Sequence, residues 1–190
     1  MRLLTVLISF LLAAGCASGP DIRADYDRSA NFSGYRTYSF FDELGTDKAG
    51  YSSLLTSHFQ SAVRREMDAR GYRYVDTDPD LLVNFNANAR DVSEVRSRNV
   101  PTSVGMGPYY GYRGGLYSPW PMYETEVDTI HYRQGTVNVD VVDADEDRLV
   151  WEGVAEGRLT DEAMQNPKAA VDRVISLIFE RYPVPAPGAG

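Results

Sequence analysis

The chain has 190 residues and a formal net charge of -8, with 27 acidic and 19 basic residues. Its length and its 43% hydrophobic content fit one globular domain. The acidic balance argues against a nucleic-acid interface, which needs a basic face. The chain has a single cysteine, Cys16, so it cannot form an intramolecular disulfide, and the cysteine must have a different role.

The first residues have the pattern of a secretory signal. Met1 and Arg2 make a short positive start, and residues 3–14 are apolar apart from Thr5 and Ser9. This run is too short to span a bilayer, which takes about 20 apolar residues. We therefore predict that residues 1–15 are a signal peptide that is removed.

The sequence from Ala13 to Cys16 (Ala-Ala-Gly-Cys) resembles the bacterial lipobox, with Ala13 where the motif most often has Leu. The resemblance implies cleavage before Cys16, diacylglycerol on its thiol and an acylated amine, so that the partner of the N-terminus is a membrane. An ordinary cleaved signal that ends near a cysteine is the alternative. Two or more acyl chains suffice for stable anchoring. Ala17, where inner-membrane lipoproteins carry Asp, implies an outer-membrane, periplasm-facing location, with residues 16–21 as the acylated cysteine and a flexible tether.

Two short strands are predicted next. Residues 22–27 alternate apolar and charged side chains, and residues 35–41 place Tyr38 and Phe40 on one side. These strands either pair with each other or follow one another in the sheet.

An amphipathic helix follows. Ser52 or Ser53 can cap it, Gly71 can end it, and its apolar stripe has helical spacing: Leu55, Phe59, Ala62, Val63 and Met67.

After an Asp78-Pro79-Asp80 turn, residues 81–90 alternate as a strand. Val83, Phe85, Ala87 and Ala89 point one way, and Asn84, Asn86 and Asn88 point the other way. The asparagine row is either the solvent face of a half-buried sheet or a face that binds the hydroxyl and amide groups of sugars.

Periodicity disappears after Arg90, and residues 99–123 are predicted to form a loop rich in Gly and Tyr. Such a long loop in a compact domain is either functional or loosely folded. Exposed aromatic side chains on it could contact a protein groove, a glycan or the membrane interface. The candidate partner-binding residues are Tyr109, Tyr110, Tyr112, Tyr117 and Trp120.

An antiparallel meander is predicted from residue 124 onward. Its strands are residues 124–133, the segment with Val137, Val139 and Val141, and the segment with Leu149, Trp151, Gly153 and Ala155. The predicted turns are Gln134-Gly135 and residues 143–147. Asp143, Asp145 and Asp147 imitate the start of a calcium loop, but Arg148 and Val154 stand at its glycine and glutamate positions, so no metal site is predicted.

The last predicted helix is capped by Asn166 and begins at Pro167. Pro183 ends it, and residues 184–190 are predicted to be a disordered tail. Its apolar stripe is Val171, Val174, Ile175, Ile178 and Tyr182.

Landmarks spread along the chain resemble the DUF4136 family of bacterial envelope lipoproteins. They are Asp25-Tyr26-Asp27, residues 31–38 (NFSGYRTY), Arg70-Gly71-Tyr72, residues 78–83 (DPDLLV), residues 149–153 (LVWEG) and Arg181-Tyr182-Pro183. The resemblance covers residues 22–183. It implies no activity, because the family has no assigned function and no catalytic motif to transfer.

No arrangement in the sequence indicates catalysis. The histidines, His58 and His131, lie on separate predicted elements without a nucleophile motif. No Gly-rich phosphate loop is present, and no cofactor is expected. Carboxylates are plentiful, so a small hydrolase that uses a carboxylate pair on an envelope substrate is the alternative function.

The sequence thus predicts an α+β domain, with an antiparallel sheet of about five strands and two amphipathic helices packed on one face. The predicted function is that of a non-enzymatic lipoprotein, periplasm-facing and anchored to the outer membrane. It would bind an envelope protein or glycan, or serve only as a structural module.

Overall fold

The structure is a computed structural model that describes residues 19–47, 53–102 and 122–186. The described residues fall into two compact units. One lies within Met1–Arg90 and Gln134–Gly190, and the other is Asp91–Arg133. The described part contains six strands and three helices. The strands are β1 Asp21–Tyr26, β2 Thr37–Phe40, β3 Arg73–Tyr74, β4 Leu81–Thr102, β5 Met122–Asp143 and β6 Arg148–Arg158, and the helices are α1 Leu54–Ala69, α2 Asp161–Gln165 and α3 Pro167–Phe179.

The strands form one mixed sheet in the order β1-β6-β5-β4-β2-β3. β1 and β5 pair antiparallel with β6, whereas β2 runs parallel to both β3 and β4. The prediction of an antiparallel sheet of about five strands is therefore wrong at this edge. The reason is that α1 connects β2 to β3 as a crossover, and a crossover connection returns the chain in the same direction.

β5 differs from the predicted meander, because it passes through Gln134 and Gly135 without a turn. Gly135 pairs with Gly157 of β6. A Cβ atom at Gly135 would lie 2.9 Å from a methyl carbon of Leu159. The glycine thus allows a close approach within the sheet, and the predicted Gln134-Gly135 turn is wrong.

β4 is also longer than its alternating segment predicts. The strand continues to Thr102, although periodicity ends at Arg90. The predicted loop 99–123 is therefore wrong at its ends, since residues 99–102 belong to β4 and residues 122–123 to β5. From residue 91 through Val100, the side chains of β4 are exposed or half-buried on both faces. A strand with no buried face has no reason to alternate apolar and polar residues, so its sequence carries no strand pattern.

Both long helices begin where the sequence predicts and α1 ends there too, whereas α3 ends at Phe179, before the predicted end at Pro183. Ser53 caps α1 by accepting a hydrogen bond from the Thr56 N–H at 3.0 Å, and Gly71 follows it with φ of +88°. Asn166 caps α3 through the Ala169 N–H at 3.4 Å. Arg70 links the helices, donating from its guanidinium to the carbonyl of Phe179 at 2.6 Å.

The short helix α2 was not predicted. Thr160 caps it through the Ala163 N–H at 3.1 Å, but none of its five residues is buried. A helix without a buried side leaves no apolar spacing in the sequence.

The core lies between the sheet and the long helices and is rich in aromatic side chains. Trp151 is fully buried, as predicted, and its ring centroid lies 5.0 Å from that of Tyr182. Tyr182 in turn contacts Phe32, with centroids 5.7 Å apart, and Phe179 at 5.5 Å. Val184, in the predicted tail, packs partly against this core.

Candidate binding face of the sheet

The sheet has one apolar face and one polar face. Buried residues of the strands, such as Val83, Val139 and Trp151, belong to the same core as the helix residues Phe59 and Ile175. Between them on β4, β5 and β6 stand polar side chains that point away from that core. We call this second side of the sheet the polar face.

A shallow depression of about 330 Å³ lies on the polar face. Seven side chains from three neighbouring strands line it, and four of them carry a primary amide: Asn86, Asn88, Arg90, Gln134, Thr136, Asn138 and Glu156. Asn86 and Asn88 are exposed, whereas the residues of β5 and β6 in this set are half-buried.

Strand register places these side chains side by side. Thr136 lies opposite Glu156, and Asn138 lies opposite Val154. Side-chain contacts show that β4 and β5 run antiparallel, because residue 90 meets 134, residue 91 meets 133 and residue 93 meets 131. The same step puts Asn88 opposite Thr136 and Asn86 opposite Asn138.

Ion pairs fix one end of the depression. The Glu156 carboxylate lies 3.1 Å from the Arg23 guanidinium and 3.2 Å from that of Arg90, and it also accepts a hydrogen bond from the Gln134 amide. Two guanidinium groups therefore offset the one carboxylate that lines the depression. Its chemistry is dominated by neutral amides, which both donate and accept hydrogen bonds.

A second pair of carboxylates lies on the same face but outside this lining. Asp140 stands opposite Glu152 across β5 and β6. Burial, and secondarily the charge of Glu152, raises the pKa of Asp140. The Asn138 amide donates to Glu152 at 3.5 Å. Neither carboxylate lines the depression, so the groups that could exchange protons do not converge on it.

A second depression, of about 390 Å³, lies near the turn that follows β5. Its polar groups satisfy one another: the Tyr35 hydroxyl donates to Asp143 at 2.7 Å, and Arg148 pairs with Glu146 at 2.6 Å. Burial, and then the bond to Asp143, raises the pKa of Tyr35 to about 12. Asp143 also accepts the backbone N–H groups of Asp145 and Glu146, each at 3.0 Å, and therefore acts as a turn residue.

The two histidines lie on different elements, His58 on α1 and His131 on β5. His131 Nδ1 lies 2.8 Å from the Ser93 hydroxyl, and both side chains are exposed. His58 is half-buried on α1. Among the described residues, no three His, Cys, Asp or Glu side chains are grouped to hold a metal ion. In residues 19–47, 53–102 and 122–186, no helix is long and apolar enough to cross a membrane.

Several predicted site residues lie outside the described residues. They are the lipidation candidate Cys16 and the aromatic loop residues Tyr109, Tyr110, Tyr112, Tyr117 and Trp120. The asparagine row lies on the polar face as predicted, and two of its members line the depression. The contribution of β5 was not predicted from the sequence, because a turn was predicted at Gln134-Gly135, in the middle of this strand. The polar residues Gln134, Thr136 and Asn138 do alternate there with valines.

The chain matches, over residues 22–184, the family described as "Domain of unknown function (DUF4136)". The protein belongs to this family. No curated protein sequence matches the chain. The family assignment therefore comes with no activity, and the polar face has to be interpreted from its own chemistry.

Solved structures show the fold. A PDZ domain protein from Parabacteroides distasonis is similar with a TM-score of 0.55 and 12% identity, over 86% of this chain and 35% of that chain. This DUF4136 chain thus spans about a third of that protein's length. The PelC dodecamer from Paraburkholderia phytofirmans has a TM-score of 0.41 and 9% identity, over 83% of this chain and 96% of that chain. At 12% identity, the likeness to the PDZ domain protein extends to the fold alone.

Proposed function

We propose that this protein is a non-enzymatic lipoprotein of the bacterial envelope, which binds a glycan through the amide-lined depression of its polar face. The observation that carries the proposal is the lining itself, in which four primary amides and a threonine hydroxyl from neighbouring strands converge on one open surface. Acyl chains on Cys16 would hold the domain at the outer membrane, facing the periplasm.

The chemistry of the lining favours a neutral, hydroxyl-rich ligand. An Asn or Gln amide offers two N–H donors and an accepting oxygen, which match the alternating donors and acceptors of a sugar ring and its acetamide groups. Arg23 pairs with Asp21 at 3.6 Å as well as with Glu156, so the two arginines Arg23 and Arg90 are balanced by two carboxylates. Envelope glycans such as peptidoglycan present this chemistry at the proposed location.

The same geometry favours binding over hydrolysis. A hydrolase of the carboxylate type needs an acid and a base on either side of the scissile bond. Asp140, whose pKa is raised by burial, lies outside the lining together with its neighbour Glu152, and Glu156 within the lining is held by arginines. An open surface of this kind binds weakly, with a dissociation constant of about 1 mM for a short oligosaccharide.

The binding proposal is tested by calorimetric titration of the full-length acylated protein in detergent micelles with chitotetraose, and with maltotetraose as the acetamide-free comparison. We expect Asn86→Ala combined with Asn88→Ala to weaken chitotetraose binding about tenfold, since each lost hydrogen bond is worth about 0.5–1.5 kcal/mol. Gln165→Ala, which removes an exposed amide from α2, is the matched control and should bind as the natural protein does. Equal binding by both variants would refute the assignment of this surface.

The anchor is tested separately. We expect the natural chain to take up labelled palmitate and to fractionate with the outer membrane, and Cys16→Ser to lose both properties. Replacement of Ala17 with Asp should move the acylated protein to the inner membrane. Uptake of label by Cys16→Ser would show that the lipidation site is misassigned, whatever the result with the sugars.

A further inference from the structure

The unit Asp91–Arg133 contributes no residue to the depression proposed to bind a glycan. Its described residues, 91–102 of β4 and 122–133 of β5, pair antiparallel as a two-stranded ribbon. We call this part of the chain the ribbon. Cross-strand contacts run along it, from Asp91 with Arg133 at 3.3 Å to Arg98 with Glu126 at 3.0 Å.

Both outer edges of the ribbon are open in the described part of the chain. On one side, β2 pairs with β4 only at Leu81, Leu82 and Val83. On the other side, β6 pairs with β5 only from Gln134 onward. Each edge is twelve residues long and has backbone N–H and C=O groups that no described strand pairs with, which is a template for another strand.

A two-stranded ribbon with both edges open is at best marginally stable in water, and three or more strands are usually needed. The ribbon also exposes β-branched side chains on one face, with Val95 67% and Val127 61% exposed. Within the ribbon, charged pairs at exposed positions add little stability. A partner that adds a strand would satisfy the backbone groups of the edge and extend the ribbon to three or more strands.

We propose that the ribbon pairs edge to edge with the ribbon of a second copy of this chain, head to tail, so that β4 of one copy lies antiparallel to β5 of the next. If the two copies lie side by side without a shift along the strands, β4 of one copy and β5 of the next have the same register as β4 and β5 within one ribbon. Residue 96 of one copy then stands opposite residue 128 of its neighbour, and residue 98 opposite residue 126.

Charge selects this partner and this orientation. The β4 edge carries Arg96 and Arg98, whereas the β5 edge carries Glu124, Glu126 and Asp128. Open edges are usually protected by charges that repel a second copy. Neither edge carries charge of one sign, since β4 also has Asp91 and Glu94 and β5 also has Arg133. The proposed register is nevertheless complementary at the charged positions: Arg96 faces Asp128, Arg98 faces Glu126 and Asp91 faces Arg133, while Glu94 faces an uncharged residue.

The test uses a pair of single charge reversals, Arg96→Glu and Asp128→Arg, in the full-length acylated protein in detergent micelles. Both leave the Arg98–Glu126 pair in place. Head-to-tail pairing makes residue 96 meet residue 128 at every interface. Each variant alone therefore meets like charges at the interface and, because residues 96 and 128 are also opposite within one ribbon, across its own ribbon. Mixing the two variants in equal amounts restores opposite charges at the interface only, so that recovery on mixing reports the interface.

We expect native mass spectrometry to show oligomers of the natural chain, a roughly tenfold weaker association per interface for each variant alone, and recovery in the mixture. Ser97→Thr, a neutral change on the same strand, is the control and should associate as the natural chain does. A natural chain that stays monomeric at all concentrations would overturn the proposal. Oligomers that ignore both reversals, or a mixture that stays dissociated, would do so equally.

Discussion

The Asp80 carboxylate connects the turn before β4 to the start of β2, at the edge of the sheet where the strands run parallel. Its side chain accepts the backbone N–H groups of Arg36 at 2.7 Å and Thr37 at 2.8 Å, and its own N–H donates to the Thr37 hydroxyl at 3.0 Å. These bonds, with the Arg36 N–H the largest cause, lower the pKa of Asp80. The turn before β4 is thereby fastened to the start of β2.

We predict that Asp80→Ala lowers the free energy of unfolding by about 1–3 kcal/mol, because two backbone donors lose a charged acceptor. Since the pKa of Asp80 is lower in the folded state, this stabilisation is present above the ordinary value of 3.8 and is lost as the pH falls through the folded value. Urea denaturation of both proteins at pH 7 and at low pH measures the difference. A gap that stays constant down to the lowest pH would contradict the role of the ionised carboxylate.

Asp140 has the opposite effect on stability. Burial and Glu152 raise its pKa, so the ionised form is penalised in the folded state above that raised value and the penalty disappears at low pH. We predict that Asp140→Asn melts at a higher temperature than the natural protein at pH 7 and at a similar temperature at low pH. Glu152→Gln should give a smaller gain, because it leaves the burial unchanged. A lower melting temperature for Asp140→Asn at pH 7 would show that the charge is needed where it is.

At the scale of elements, the sequence predicted those that bury one side. α1, α3, β2 and the inner part of β4 were predictable because apolar spacing follows a buried face. The continuation of β4 beyond Arg90 was not, because its two faces are alike. The passage of β5 through Gly135 was also hidden, since Gly marks turns and close approaches equally in a sequence. Helix α2 buries no side chain and left no signal.

Gly153 is a close approach of this kind in β6. A Cβ atom there would collide with Ile178 of α3 and come within 2.5 Å of the Trp151 ring. We predict that Gly153→Ala lowers the free energy of unfolding by about 1–3 kcal/mol through overpacking. Gly19→Ala is the matched control, because a Cβ atom at Gly19 meets nothing within 4 Å. Equal thermal stability of the two variants would contradict the tight packing of α3 on β6.

At the scale of the whole molecule, several aromatic residues of the segments that carry the family resemblance belong to the core or pack against it. Phe32, Tyr38, Tyr72, Trp151 and Tyr182 are buried or pack against the core. This aromatic part of the family resemblance therefore describes how the chain folds and does not point to an activity.

The candidate binding site follows from a different kind of information. The asparagine row of β4 could be placed on a face from the sequence alone, because strand side chains alternate. Its neighbours could not, because the order β6-β5-β4 and the register that brings Asn138 and Glu156 beside it are set by long-range pairing. A surface built from three strands is visible only once the strands are assembled.

The most direct test of the proposed function is an NMR titration of the isotope-labelled full-length protein with chitotetraose at millimolar concentration, with the side-chain amide signals as the readout. We predict that the signals of Asn86, Asn88, Gln134 and Asn138 shift together with one dissociation constant, while that of Gln165 stays in place. Shifts confined to other parts of the molecule, or no shift among these amides, would contradict the claim that the polar face binds a glycan.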